Sequence, residues 1–320
     1  MQKRIAFFGI EAWEKDWLVK NLGGFKLSFF PKPLNEDTIP SERDFSVISI
    51  SDTMELSHKL LEVFPHLELV AVRGRRSRNI DLAACRKQRV SVTRIPSQAA
   101  HSVAEFTFAL LLALARKINS AVECGANDAK STDGLRGTEL FAKTLGVVGT
   151  GHVGVNVIRI ARGFGMRVLA WNPKPNGQLS HEVGFAYVSE DALFSGSDIV
   201  TLHVPYVPSH ESYSTHRIIT RNLLERMRRG ALLINTAHPE LVDPNDLLWA
   251  LKEGIVGGAA IDGELAPQVK EALRMFSNVL LTPRIAGNTQ EAHEDVLRAT
   301  AENIKAYFRG FPQNMVGSTA

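Results

Sequence analysis

One stretch constrains the fold more than any other: residues 143–174, KTLGVVGTGHVGVNVIRIARGFGMRVLAWNPK. It opens with a short apolar run, Leu145–Val148, long enough for a buried strand. Gly149, Gly151 and Gly154 follow in the spacing GxGxxG, with His152 and Val153 between the last two. Apolar residues then recur at helical spacing through Val155, Val157, Ile158, Ile160 and Ala161, and a second apolar run, Met166–Trp171, closes the unit. Strand, glycine turn, helix and strand in about thirty residues is the context a dinucleotide fingerprint requires. The first glycine makes the tight turn, the second lets a pyrophosphate approach the backbone, and the third lets helix and strand pack closely. The helix N-terminus offers free N–H groups and a partial positive charge to phosphate. Gly149, Gly151, His152, Val153 and Gly154 are therefore the expected pyrophosphate contacts.

The rest of the chain must accommodate that unit. At 320 residues it exceeds one ordinary domain and predicts two. With 44% hydrophobic and 22% charged residues it has a soluble globular composition, and a net charge of +3 does not by itself imply a nucleic-acid partner. Cys85 and Cys124 provide neither a disulfide framework nor a metal-ligand spacing, which fits a cytoplasmic location. The longest apolar stretch, 106–115, is too short to span a bilayer.

Runs at 3–10, 45–50, 67–73 and 90–95 read as strands, with helical patterns at 13–22 and 54–64 between them. His101–Ile118 reads as one long helix, apolar nearly all round, and 121–142 as a polar connecting segment. Beyond the glycine unit, strands are expected at 199–202, 232–235, 257–261 and 279–281, with helices at 221–227, 244–252 and 289–308. The pattern predicts an α/β protein of two doubly wound, Rossmann-like lobes with a cleft between them.

Several stretches then match a known family. GTGHVG, SDIVTLHVP (197–205), LINTA (233–237), VDPNDLLWALKEG (242–254), GGAAID (257–262) and LLTP (280–283) resemble the D-isomer-specific 2-hydroxyacid dehydrogenases. That family includes D-lactate and phosphoglycerate dehydrogenases and glyoxylate–hydroxypyruvate reductases. The resemblance implies a flavodoxin-like substrate lobe, residues 1–100 with 289–320, into which an NAD(P)-binding lobe, 101–288, is inserted. It also implies a homodimer through the cofactor lobe and a small anionic substrate, while the cysteine spacing, small net charge and short apolar stretches predict no metal, no nucleic acid and no membrane. Cofactor contacts carried over by position are His203, Val204, Pro205, Thr236, Ala237 and, toward the nicotinamide amide, Asp262.

The family's chemistry needs a histidine to move the hydroxyl proton, a carboxylate to support it, and an arginine to hold the substrate carboxylate. The family has arginine and glycine after NTA; this chain has His238 and Pro239. The family has histidine after TP; this chain has Arg284, a side chain that cannot give up a proton near neutral pH. Counting five residues from Asp262 to the glutamate position reaches Pro267, or Ala266 with one gap. Where the substrate loop usually has glycine, Arg76 stands within RGRRSR, flanked by Arg73, Arg75 and Arg78.

His238 and Arg284 thus look exchanged, which predicts His238 as acid/base with Glu264 as its partner, and Arg284, Arg75 and Arg76 as anion-binding groups. The competing reading is a dinucleotide-binding pseudoenzyme, a redox sensor or scaffold. Cofactor choice is open as well. The acid expected at the end of the second strand is replaced by Asn172, with Lys174 two residues on, so either NAD or NADP fits.

Overall fold

A computed structural model describes residues 2–95, 99–126, 132–211 and 213–317. The chain divides into two compact units, Met1–Ala99 with Thr289–Ala320, and Ala100–Asn288.

The first unit is built on five parallel strands: β1 (Arg4–Phe8), β2 (Lys26–Phe30), β3 (Val47–Ser51), β4 (Leu69–Arg73) and β5 (Ser91–Thr93), in the order β2-β1-β3-β4-β5. Central parallel strands are covered on both faces, so they read as continuous apolar runs rather than alternating ones. Ile5, Phe7, Val47, Leu69 and Ala71 face one core, and Ala6, Phe8, Ile48, Ile50, Val70 and Val72 face the other. The helix Gln290–Phe308 closes the first of these cores with Leu297, Ala301 and Ile304, which draws the C-terminal segment into this unit. Its N-cap Thr289 accepts a hydrogen bond from the Ala292 N–H at 3.2 Å.

The second unit has seven parallel strands: β6 (Thr144–Val148), β7 (Arg167–Trp171), β8 (Ala186–Tyr187), β9 (Ile199–Leu202), β10 (Ala231–Asn235), β11 (Val256–Asp262) and β12 (Val279–Thr282). Their order is β8-β7-β6-β9-β10-β11-β12, so the winding reverses between β6 and β9. Ligands of such sheets bind beyond the carboxyl ends of the strands at that reversal.

Three expectations need correction. The helix expected over 101–118 is Ala100–Ala115; Lys117, in the left-handed region at φ 53°, ends it, and a second helix, Ile118–Ala126, occupies the start of the segment read as a connection. The helix expected over 54–64 is only His58–Glu62. Leu56 instead pairs in extended form with the chain at Ile80, its N–H donating to Asn79 O at 2.8 Å, and Ser57 caps the helix that follows. The edge strand β2, KLSFF, was not anticipated. Among the described residues, no helix is long and apolar enough to cross a membrane and no group of three His, Cys, Asp or Glu side chains is placed to hold a metal.

Candidate active site

The cofactor residues expected in the second unit follow the carboxyl ends of its strands. The glycine turn shows a separate reason for each glycine. Gly149 has φ +97°, and an added Cβ would lie 2.8 Å from Val204 Cγ1 and 2.9 Å from His203 O. Gly154 packs so closely under the turn that a Cβ would lie 2.0 Å from Gly149 O. Gly151 faces open space, with nothing within 4 Å of the Cβ position. It is the N-cap of the helix His152–Gly163, and no side chain caps that end. The leading N–H groups of the helix thus remain available to an anion, and the bare Gly151 backbone leaves room for one. This cradle fits the pyrophosphate of a dinucleotide.

Asn172 braces the turn. Its Oδ1 accepts from the Thr150 N–H at 3.2 Å, and its Nδ2 donates to Lys174 O at 2.8 Å. Thr150 is tied in addition to the Tyr187 hydroxyl at 2.8 Å. Lys174 itself is exposed. On the next strand, the His203 N–H donates to Val148 O at 2.8 Å, clamping HVP beside the turn. Both His203 ring nitrogens are sealed from solvent and unpartnered among the described residues, although the residue as a whole is only partly buried. That desolvation pushes the imidazole down to about 3, so the ring is neutral. Val204 is buried and Pro205 exposed, its carbonyl accepting from Thr215 Oγ1 at 2.8 Å.

Beyond β10 the loop is organised by Asn235, a residue the sequence reading passed over. Its Oδ1 accepts from Ala237 N at 3.1 Å and its Nδ2 donates to His238 O at 2.8 Å. Thr236 is buried, its hydroxyl 2.8 Å from that of Thr107, so its side chain joins loop to helix. His238 is extended, at φ −147° and ψ 130°, as a residue before proline should be. Its Nδ1 meets the carboxylate of Glu240, and its ring stacks on Tyr206 with centroids 4.6 Å apart and planes 11° from parallel. The Tyr206 hydroxyl in turn reaches His216 Nδ1 at 3.2 Å.

This corrects the assignment of Glu264: it is exposed, and the carboxylate beside His238 belongs to Glu240. The signal for Glu240 was its place two residues after the histidine; Tyr206, directly after HVP, gave no such cue. With Nδ1 donating to Glu240, Nε2 is the nitrogen left to exchange a proton.

Pro239 and Gly263 complement each other. A Cβ on Gly263 would lie 2.4 Å from Pro239 Cγ. The proline ring thus fills the space that a side chain at 263 would take.

Asp262, expected toward nicotinamide, also has partners within its own loop. Its buried carboxylate accepts from Thr282 Oγ1 at 2.7 Å and from the Ile285 and Ala286 N–H groups at 2.8 Å each. It therefore fixes the loop that carries Arg284. Arg284 is exposed, with φ +58°.

In the first unit, Arg73 is structural. Its guanidinium donates to Ser49 O and Oγ at 3.1 Å, to Phe8 O at 2.6 Å and to Gly9 O at 3.2 Å, while burial brings its pKa down to about 10. Arg76 Nε lies 3.4 Å from Asp52 Oδ2, so its charge is partnered, while Arg75 is exposed without a carboxylate beside it among the described residues.

Comparison with known proteins identifies the family. Residues 108–286 match the family described as D-isomer specific 2-hydroxyacid dehydrogenase, NAD binding domain. The chain belongs to that family. The 2-hydroxyacid dehydrogenase is 29% identical to D-lactate dehydrogenase of Escherichia coli, over 96% of this chain and 97% of that protein. It is 35% identical to glyoxylate reductase of Thermococcus litoralis, over 86% and 84%. Among solved structures it resembles D-lactate dehydrogenase of Aquifex aeolicus complexed with NAD and lactic acid, with a TM-score of 0.80, 28% identity and coverage of 99% and 100%. The dehydrogenase is thus an NAD-linked oxidoreductase, its second unit the NAD-binding domain.

Proposed function

We propose that the dehydrogenase interconverts a small anionic 2-hydroxy acid and its 2-keto acid with a rebuilt proton-transfer group. NAD, when bound, supplies or takes the hydride. The observation that carries the reading is the contact between His238 and Glu240, which re-forms a histidine–carboxylate pair on the loop after β10. Glu240 holds the Nδ1 side and Tyr206 backs the ring, leaving Nε2 to take the hydroxyl proton in oxidation and return it in reduction. Arg284 serves as the anchor for the substrate carboxylate, with Arg75 and Arg76 as further anion-binding groups. Asp262 acts through the loop it fixes, and its Oδ2, which accepts one bond, keeps a lone pair for the nicotinamide amide.

NADP is accepted beside NAD in this reading, because Asn172 carries no charge to repel a 2′-phosphate and the exposed Lys174 can pair with one. Calorimetry showing a strong preference for NAD would remove that part. The enzyme is further proposed to be a cytoplasmic homodimer through the NAD-binding unit. Ile118, Val122 and Phe141, exposed by 46%, 65% and 71%, supply apolar surface for such a contact. Light scattering on the purified chain tests the dimer.

The main experiment is a nicotinamide absorbance assay over a panel of 2-keto acids with both cofactors. Turnover is expected, falling about a hundredfold or more in His238→Ala and less in Glu240→Gln. Undiminished turnover in His238→Ala would refute the assignment. Tight cofactor binding with no turnover on any acid would make the protein a dinucleotide-binding pseudoenzyme.

A further inference from the structure

The opposite, amino edge of the seven-stranded sheet opens into a cavity of about 310 Å³, at the lower end of the range for small-ligand sites. It lies at the starts of β6, β9, β10 and β11, with the end of the helix Ala100–Ala115 and the segment through Arg136 and Thr138 as its walls. Five cations line it, Lys117, Arg136, Lys143, Arg228 and Arg229, against the carboxylates of Asp198 and Glu139.

The bonds these groups already make sort them. Arg228 is committed, with Nη1 2.9 Å from Asp198 Oδ1 and Nε donating to Ser195 O at 3.2 Å. Asp198 is committed too, since its other oxygen accepts from the Thr144 N–H at 2.8 Å. Among the described residues Arg229 and Lys117 donate only to carbonyls, Glu253 O at 2.7 Å and Gly134 O at 2.6 Å, which orient them without neutralising them. Arg136 and Lys143 have no hydrogen-bond or ion-pair partner among the described residues. Lys143 also acts on Asp198, helping Arg228 hold that carboxyl below its usual range, and five cations against two carboxylates still leave a positive excess around one small cavity that favours an anion.

The walls are fixed in advance. Thr138 N donates to Ala115 O at 2.7 Å, and a Cβ on Gly137 would lie 2.6 Å from that same oxygen. At the floor, a Cβ on Gly257 would lie 2.4 Å from Gly230 O. Backbone held this tightly is preorganised, which reduces the ordering needed on binding.

We propose that this cavity binds a small polyanion bearing two or more phosphoryl or carboxyl groups. It is a second site: β6 separates Lys143 from Gly149, so the cavity and the glycine turn lie about 20 Å apart along the strand. The proposal does not rest on the dehydrogenase chemistry.

The test is isothermal titration of the full chain with inorganic pyrophosphate and, separately, citrate, at low salt and with NAD saturating so that the glycine turn is filled. Saturable one-to-one binding of at least one probe is expected, and the tighter probe assigns the ligand as phosphoryl or carboxyl. Arg136→Ala and Lys143→Gln should each weaken it about fivefold or more, with NAD affinity unchanged, and the double variant should abolish it. Arg136 is exposed, so Arg136→Glu should fold and also abolish binding. Absence of saturable binding of both probes, or equal affinity in the double variant, would overturn the proposal.

Discussion

The buried imidazole of His203 makes stability depend on pH in a way that can be worked out in advance. Among the described residues its ring nitrogens have neither solvent nor partner, and desolvation holds its folded-state pKa at about 3, against 6.5 for a free imidazole. Above pH 6.5 the ring is neutral in both states. Below it the unfolded chain gains a proton that the folded chain refuses until about pH 3, so stability falls as pH falls through that window, by up to about 1.4 kcal/mol per pH unit. Between pH 7.5 and 5.5 the loss from this one group is about 1.4 kcal/mol. For a unit of this size that corresponds to about 3–5 °C in Tm. The assay is urea unfolding followed by the fluorescence of Trp171 and Trp249, with Trp13 and Trp17 replaced by Phe so that only the second unit reports. His203→Met should lose the same stability as the parent from other groups but lack this increment. Parallel pH dependences in parent and variant, or an NMR titration of the His203 ring near 6.5, would refute the reasoning.

Four further outcomes follow from the site. Gly151→Asp should leave stability unchanged or slightly raised, because Asp is a good N-cap and φ there is −74°, yet it should weaken NAD binding about a hundredfold in calorimetry by placing a carboxylate at the anion site. Gly154→Ala should destabilise by about 3 kcal/mol in urea unfolding, because its Cβ cannot fit over Gly149 O. Gly263→Ala should cost about 2 kcal/mol alone and little in a Pro239→Gly background, a coupling of at least about 1 kcal/mol in a double-mutant cycle. Asp262→Asn should cost about 2–3 kcal/mol, since an amide N–H₂ would face donors, and should speed amide exchange at Ile285 and Ala286.

The framework was legible because parallel strands and amphipathic helices write their period into the chain. β6, β10 and the helix Pro244–Lys252 lie where their patterns put them. Elements that depend on distant partners were not legible. β2 is an edge strand whose pairing with β1 decides its state, and the first turn of the 54–64 pattern is drawn into extended pairing by Ile80. The break at Lys117 was invisible because a lysine at positive φ carries no mark in the sequence. In the site, the glycine turn could be read since each glycine answers a steric demand. The partner of His238 could not, because Asp262 and its neighbours offered a familiar carboxylate position while the true contact is a local one, to Glu240.

The three bonds to Asp262 have a consequence for what position 284 can become. Together with the Arg284 N–H donating to Thr282 O at 3.0 Å, they hold the backbone at 284 in its left-handed conformation through Thr282, Ile285 and Ala286, with no bond to the side chain at 284 among the described residues. The loop is in that sense a socket, indifferent to the side chain mounted in it. Arginine and histidine are interchangeable there as far as the scaffold is concerned, so the chemistry at this corner can be rewritten by one codon while the architecture stays still.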